Sequence, residues 1–208
     1  MAKSLRYNGP KDAPLILALA HGAGAPMDHP FMETLAKGIG DAGFRVARFE
    51  FPYMAKRRED GKKRPPDREP VLRAAFEDIA GRLGRERLVI GGKSMGGRIA
   101  SMMADELGVR GLVCLGYPFH APGKPDRVRA DHLAAIKTPT LIVQGERDPF
   151  GSAQEIASYG LGRKVKLVVL PDGEHSFKPR KKSGHTEEEN LAAAIKATVA
   201  FLKRLAPG

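Results

Sequence analysis

The 208-residue chain carries 35 basic and 24 acidic side chains, a formal net charge of +11, with 42% hydrophobic and 28% charged residues. This balance supports a buried core, excludes a disordered chain, and at this length suits a single domain spanning 1–208. One cysteine, Cys114, excludes an internal disulfide framework and a cysteine-rich zinc site, and no apolar run nears the roughly 18 residues of a membrane span, so a compact cytoplasmic protein with no membrane contact is expected.

In chain order, residues 4–7 read as an edge strand. The run 13–20 (APLILALA) holds a small-x-small pattern like a signal-cleavage site, yet Asp12 and Pro14 crowd its entrance and it flows into His21-Gly22-Ala23-Gly24. It therefore reads as a buried strand over 15–20 ending in a tight loop. Helical spacing follows at 32–42, then a strand at 44–51. Residues 56–68 (KRREDGKKRPPDR), with seven basic and three acidic side chains and paired prolines, read as an exposed loop. A helix at 70–83, a strand at 88–90, a helix at 95–107 and a strand at 111–115 come next. The remainder alternates a helix at about 128–136, a strand at 140–143, a helix at 153–159, a strand at 165–170 and a basic loop at 178–182. The last helix has the clearest signals: Thr186 and Glu189 form a capping box, Leu191, Ile195, Val199 and Leu202 mark one face, and Lys203 and Arg204 close it.

The strands are short and apolar on both faces, as in a sheet covered on each side. Their alternation with helices predicts a three-layer α/β architecture. Its sheet should be mostly parallel, with about six or seven strands and helices on both faces.

Residues 91–97 (GGKSMGG) stand between the strand at 88–90 and a helix, and two motifs compete there. Gly-Lys-Ser suggests a phosphate-binding loop, which needs a glycine five residues before Gly92; that position is Arg87, and strand residues fill the interval. The wrapping loop is absent, so nucleotide binding is not expected. Gly92, Ser94 and Gly96 instead fit Gly-x-Ser-x-Gly, a sharp strand-to-helix turn that holds the serine strained and exposed.

A nucleophilic serine needs a base, and the base an orienting acid, all at the carboxyl ends of strands in an open parallel sheet. Asp148 follows the strand at 140–143, and His175 follows the strand at 165–170. Glu146 lies closer to its strand but is expected to serve Arg147 or the turn, while Asp172 and Glu174 are expected to point away from the imidazole. The order Ser94, Asp148, His175 is a recognised triad order. The Met95 N–H at the helix start supplies one oxyanion donor, and Ala23 or Gly24, in the loop after the strand at 15–20, supplies the other. His21 and His29 lack a third partner at metal-ligand spacing, so no metal is expected, and His21 reads as a loop brace.

The GKSMGGR turn, the HGAGA loop and the DGEHSF segment resemble the α/β-hydrolase superfamily over nearly the whole chain. They are similar to a small, lidless branch near the dienelactone hydrolases, which also takes in hydrolase-like subunits of a histone-acetyltransferase (NSL) chromatin complex and small bacterial relatives. Dienelactone hydrolases use a cysteine where this chain has Ser94, so the resemblance implies the fold and site rather than that chemistry. The family would place a cap after the strand at 111–115, but 118–139 has room for one helix only. A shallow, open site walled by Phe119, His120 and Phe150 is expected.

The function expected is hydrolysis of a small-molecule carboxylic ester or thioester without a cofactor. The competing reading is an inactive hydrolase-like interaction protein, against which stand the surviving Ser94, Asp148, His175 and glycines. Nucleic-acid binding is not expected, because no helix concentrates the positive charge and no reader motif accompanies it. The charge excess favours anionic substrates by long-range steering.

Overall fold

The computed structural model describes residues 4–206. Among these residues seven strands form one sheet: β1 (Leu5–Asn8), β2 (Ile16–Ala20), β3 (Arg45–Phe49), β4 (Leu88–Lys93), β5 (Gly111–Leu115), β6 (Thr140–Gly145) and β7 (Val165–Leu170). Their order is β1-β3-β2-β4-β5-β6-β7, with β1 antiparallel to β3 and every other pair parallel. The strand alternation expected from the sequence is therefore realised, the edge strand included; that edge runs antiparallel, which the sequence did not specify.

The period of two decides which layer each strand residue meets. Leu15, Leu17 and Leu19 pack in a core with residues of α1 (Pro30–Asp41) and α6 (Glu187–Leu205), whereas Ala18 and Ala20 face α3 (Glu69–Leu83) and α4 (Met95–Leu107). The chain thus has three layers, with β4 at the centre of the sheet. Proline starts α1, where its missing N–H costs nothing, and Thr186 with Glu189 caps α6 reciprocally, as the sequence predicts.

Three expectations need correction. Lys56–Asp60 is helical, as the end of α2 (Pro52–Asp60), and only the residues from 61 onward are irregular. Pro52 starts this helix, Gly61 ends it in the left-handed conformation, and the Asp67 carboxylate accepts the Tyr53 N–H at 2.8 Å. Only Tyr53 and Met54 are buried on it, so no apolar period marks it in the sequence. The helix expected at 128–136 is reduced to a 3₁₀ turn, Asp131–Ala134. The Leu133 N–H donates to Ala130 O at 2.8 Å, a 3₁₀ pairing, and the Arg129 carbonyl that an α-helix would offer it accepts the Tyr117 hydroxyl at 3.0 Å instead. The helix expected at 153–159 is a single turn, α5 (Ala153–Ile156), although its Ser152–Glu155 capping box is complete. Apart from that 3₁₀ turn, residues 116–139 form no regular element, and among the described residues no cap covers the ends of β4 to β7.

Candidate active site

Ser94 sits between β4 and α4 with φ 52° and ψ −118°, a conformation rare for a residue with a side chain. Two neighbours must be glycine for this turn to close. A Cβ on Gly92 would lie 2.6 Å from the Gly96 carbonyl carbon, and one on Gly96 would lie 2.6 Å from His21 O. The Ser94 N–H donates to Leu115 O at 3.0 Å, anchoring the turn to the end of β5.

The structure brings the three residues named from the sequence together. Ser94 Oγ is 2.8 Å from His175 Nε2, and His175 Nδ1 is 2.8 Å from Asp148 Oδ2. Asp148 is buried, and three donors surround its oxygens: His175 Nδ1, Gln144 Nε2 at 2.9 Å and the Phe150 N–H at 2.8 Å. With the proton on Nδ1, Nε2 is left as an acceptor facing the serine hydroxyl. The rival carboxylates are engaged elsewhere. Glu146 accepts the Asp172 N–H at 2.7 Å, Glu174 accepts the Ser176 N–H at 2.7 Å, and Asp172 holds Arg180 and Arg147.

Behind the serine, the loop after β2 is held by its carbonyls. The Tyr53 hydroxyl donates to Ala23 O at 2.9 Å and reaches Gly22 O at 3.4 Å. A trans peptide points its N–H opposite its carbonyl, so the Ala23 and Gly24 N–H groups turn away from Tyr53. His21 braces the same loop, as the sequence suggested. Its Nε2 accepts the Phe51 N–H at 3.1 Å, which leaves Nδ1 to donate to Gly22 O at 2.6 Å. Burial lowers its pKa and so favours the neutral ring that this pairing requires.

A cavity of about 320 Å³ opens above Ser94, walled by Phe31, Met32, Phe150 and the loop at Ala23 and Gly24. Phe150 was expected as a wall and lies with its ring centroid 4.3 Å from that of His175. Phe119 and His120 are not walls. Phe119 is buried against Tyr117 and Tyr159, and His120 faces Glu155 in a separate groove. Among the described residues, no group of three His, Cys, Asp or Glu side chains could hold a metal ion, and no helix is long and apolar enough to cross a membrane.

Three contributors escaped the sequence reading. Gln144 bonds Asp148 and also clamps the Tyr117 backbone, Tyr53 fixes the loop, and the Lys93 ammonium donates to His175 O at 2.7 Å. Gln144 at the end of a buried strand, facing the chosen aspartate four residues on, was the one available signal. The other two contacts join residues far apart in the chain.

The profile of the family described as "Alpha/beta hydrolase domain" matches residues 13–203. Rat ABHD14B, whose name proposes protein-lysine deacylase activity, is 30% identical over 117 residues, 55% of this chain and 53% of that protein; the chain thus matches about half the length of this curated relative. A dienelactone hydrolase from Anabaena variabilis superposes with a TM-score of 0.74 at 21% identity, covering 96% of this chain and 90% of that one. A serine hydrolase without a lid from Xanthomonas campestris superposes with a TM-score of 0.68 at 18% identity, covering 98% and 89%.

Proposed function

The chain belongs to the alpha/beta hydrolase domain family, and from that premise we propose that it hydrolyses carboxylic esters or thioesters through Ser94, His175 and Asp148. The observation that carries this reading is the pair of 2.8 Å contacts that runs from Ser94 Oγ through His175 to Asp148.

In this reading His175 Nε2 takes the Ser94 proton as Oγ attacks the acyl carbon, and the same nitrogen then protonates the leaving group. The acyl-enzyme is released by water, again with His175 as base. Asp148 holds the Nδ1–H tautomer and stabilises the imidazolium. Met95 N–H, first in α4, and the N–H of Ala23 or Gly24 receive the oxyanion, each donor worth about 3 kcal/mol in the transition state. The name of the rat relative extends the candidate acyl donors to acyl-lysine amides, which the same machinery would cleave.

A fluorophosphonate probe tests the reading without knowledge of the substrate, because it needs only the nucleophile, its base and the oxyanion donors. Labelling is expected at Ser94 alone, lost in Ser94→Ala and sharply slowed in His175→Ala. No labelling of folded protein between about pH 6 and 9 would replace the enzyme with a hydrolase-like interaction protein of the kind found among the chromatin-complex subunits. Labelling of another serine would keep the enzyme and discard this site.

A further inference from the structure

Lys93 is the last residue of β4, immediately before Ser94. The sheet's alternation puts it on the side of Val89, so its side chain runs under the α1 face instead of into solvent. Its ammonium lies 5.6 Å from the centroid of the Phe31 ring, and Lys93 and Ser94 line the same cavity. A Cβ on Gly116 would be 2.7 Å from Lys93 Nζ and 3.4 Å from His175 Cε1, which places the ammonium beside the imidazole. Gly116, with φ 64°, leaves the space that Nζ occupies.

An ammonium has three donors. Among the described residues the only acceptor for Lys93 Nζ is His175 O, and no carboxylate pairs with it. The two nearest candidates are already used: Asp148 by His175, Gln144 and Phe150, and Glu174 by Ser176. A buried cation without a counter-ion is costly, and burial pulls this ammonium down to about 8 against the opposing charges of Asp148 and Glu174. The other residues that line the cavity, the polar His29 and Ser176 included, carry no negative charge. A substrate that carries a negative charge would supply the missing partner.

We propose that Lys93 is the specificity-determining residue of this site and reads an anionic group, such as a carboxylate, carried on the acyl part of the substrate a few bonds from the scissile carbonyl. This assignment rests on the hydrolase reading above. In a cavity with apolar walls the charge-assisted bond is strong, and a neutral acyl group of the same shape leaves the ammonium unpaired. The approach is also cationic: Arg57, on the basic helix α2, reaches Gly24 O at 3.4 Å, at the rim formed by the oxyanion loop.

The test compares kcat/KM for two aryl esters of matched shape, one a glutaric acid half-ester and the other its methyl-capped neutral counterpart, corrected for uncatalysed hydrolysis. The wild-type protein should favour the anionic ester by roughly ten- to a hundredfold, the range of a hydrogen bond to a charged group. In Lys93→Gln, which retains an N–H for His175 O and loses the charge, that ratio should fall to near one. Lys93→Met serves as a second variant without the N–H, and the fluorophosphonate rate at Ser94 reports the intact nucleophile in each. An unchanged ratio in Lys93→Gln, or a wild-type protein indifferent to the charge, overturns the proposal while leaving the hydrolase. Equal losses on both esters in Lys93→Met, repaired by Lys93→Gln, would mean that Lys93 only props the His175 carbonyl. Absence of labelling in the wild type removes both readings together.

Discussion

Asp148→Asn is the most demanding test of the proposed triad because the surroundings of this side chain leave an amide no good orientation. Oδ2 accepts from His175 Nδ1 and Gln144 Nε2, and Oδ1 accepts the Phe150 N–H. An asparagine supplies one oxygen and one NH₂. With its oxygen towards His175, the NH₂ meets the Phe150 N–H, two buried donors in opposition, at a cost of about 1–3 kcal/mol. Turned the other way, the NH₂ faces His175 Nδ1, which must then accept. The imidazole proton moves to Nε2, where it confronts the Ser94 hydroxyl and can no longer remove its proton. The first arrangement lowers stability and the second abolishes the base. A fall in kcat of about 10⁴-fold is expected, or about 5.5 kcal/mol in the barrier, with only a modest change in Tm. Steady-state hydrolysis of an aryl acetate and a thermal melt measure the two effects separately. Glu146→Gln is the control, since Glu146 accepts only the Asp172 N–H and a glutamine oxygen can do the same. Activity of Asp148→Asn within tenfold of wild type, or an equal loss in Glu146→Gln, would refute the reasoning.

Gly96→Ala drives a Cβ to 2.6 Å from His21 O, a backbone atom that cannot give way easily; Tm should fall by the equivalent of about 1–3 kcal/mol and fluorophosphonate labelling should be lost, whereas wild-type behaviour would contradict the close approach. The open, capless cavity of about 320 Å³ should reward only short acyl chains. Each buried methylene raises kcat/KM by about fourfold, and a rise that continues to about eight carbons would require an apolar channel absent from this fold. Arg180, with added charge from Arg147, holds the Asp172 carboxyl well below the usual carboxylate range, so its stabilising effect is complete above about pH 3.9 and is lost as pH falls through the lower folded value. Asp172→Asn, tolerable at φ 49°, should therefore lower Tm most near neutrality, with the gap closing below about pH 4; a gap independent of pH would show that the ion pair is not its source.

The turn at Ser94 was legible because its constraint is local. A strand, a strained serine and a helix that meet within a few residues require Gly92 and Gly96, and that requirement is written as a spacing. Asp148 and His175 were legible for a related reason: each follows directly from a buried strand, and parallel strands deliver their carboxyl ends to one edge. The helix α2 was not legible, because a mostly charged segment with two buried residues has no period, and its cap comes from Asp67. Phe119 and His120 followed a strand end as well, yet the backbone bond from Arg129 N–H to Phe119 O folds that loop inward and away from the cavity.

By itself the sequence determined the sheet and its layers, which follow from periodicity, and it pointed to the three residues proposed at the sheet's edge through a glycine spacing and two strand ends. The tertiary structure alone decided how they are held. Gln144 clamped on the Tyr117 backbone, Tyr53 against the Ala23 carbonyl, and Lys93 under His175 are contacts between segments that the chain brings together only by folding. No pattern along the sequence can encode such pairings, because the partner of a buried polar group is whichever distant atom the packing places within hydrogen-bond reach.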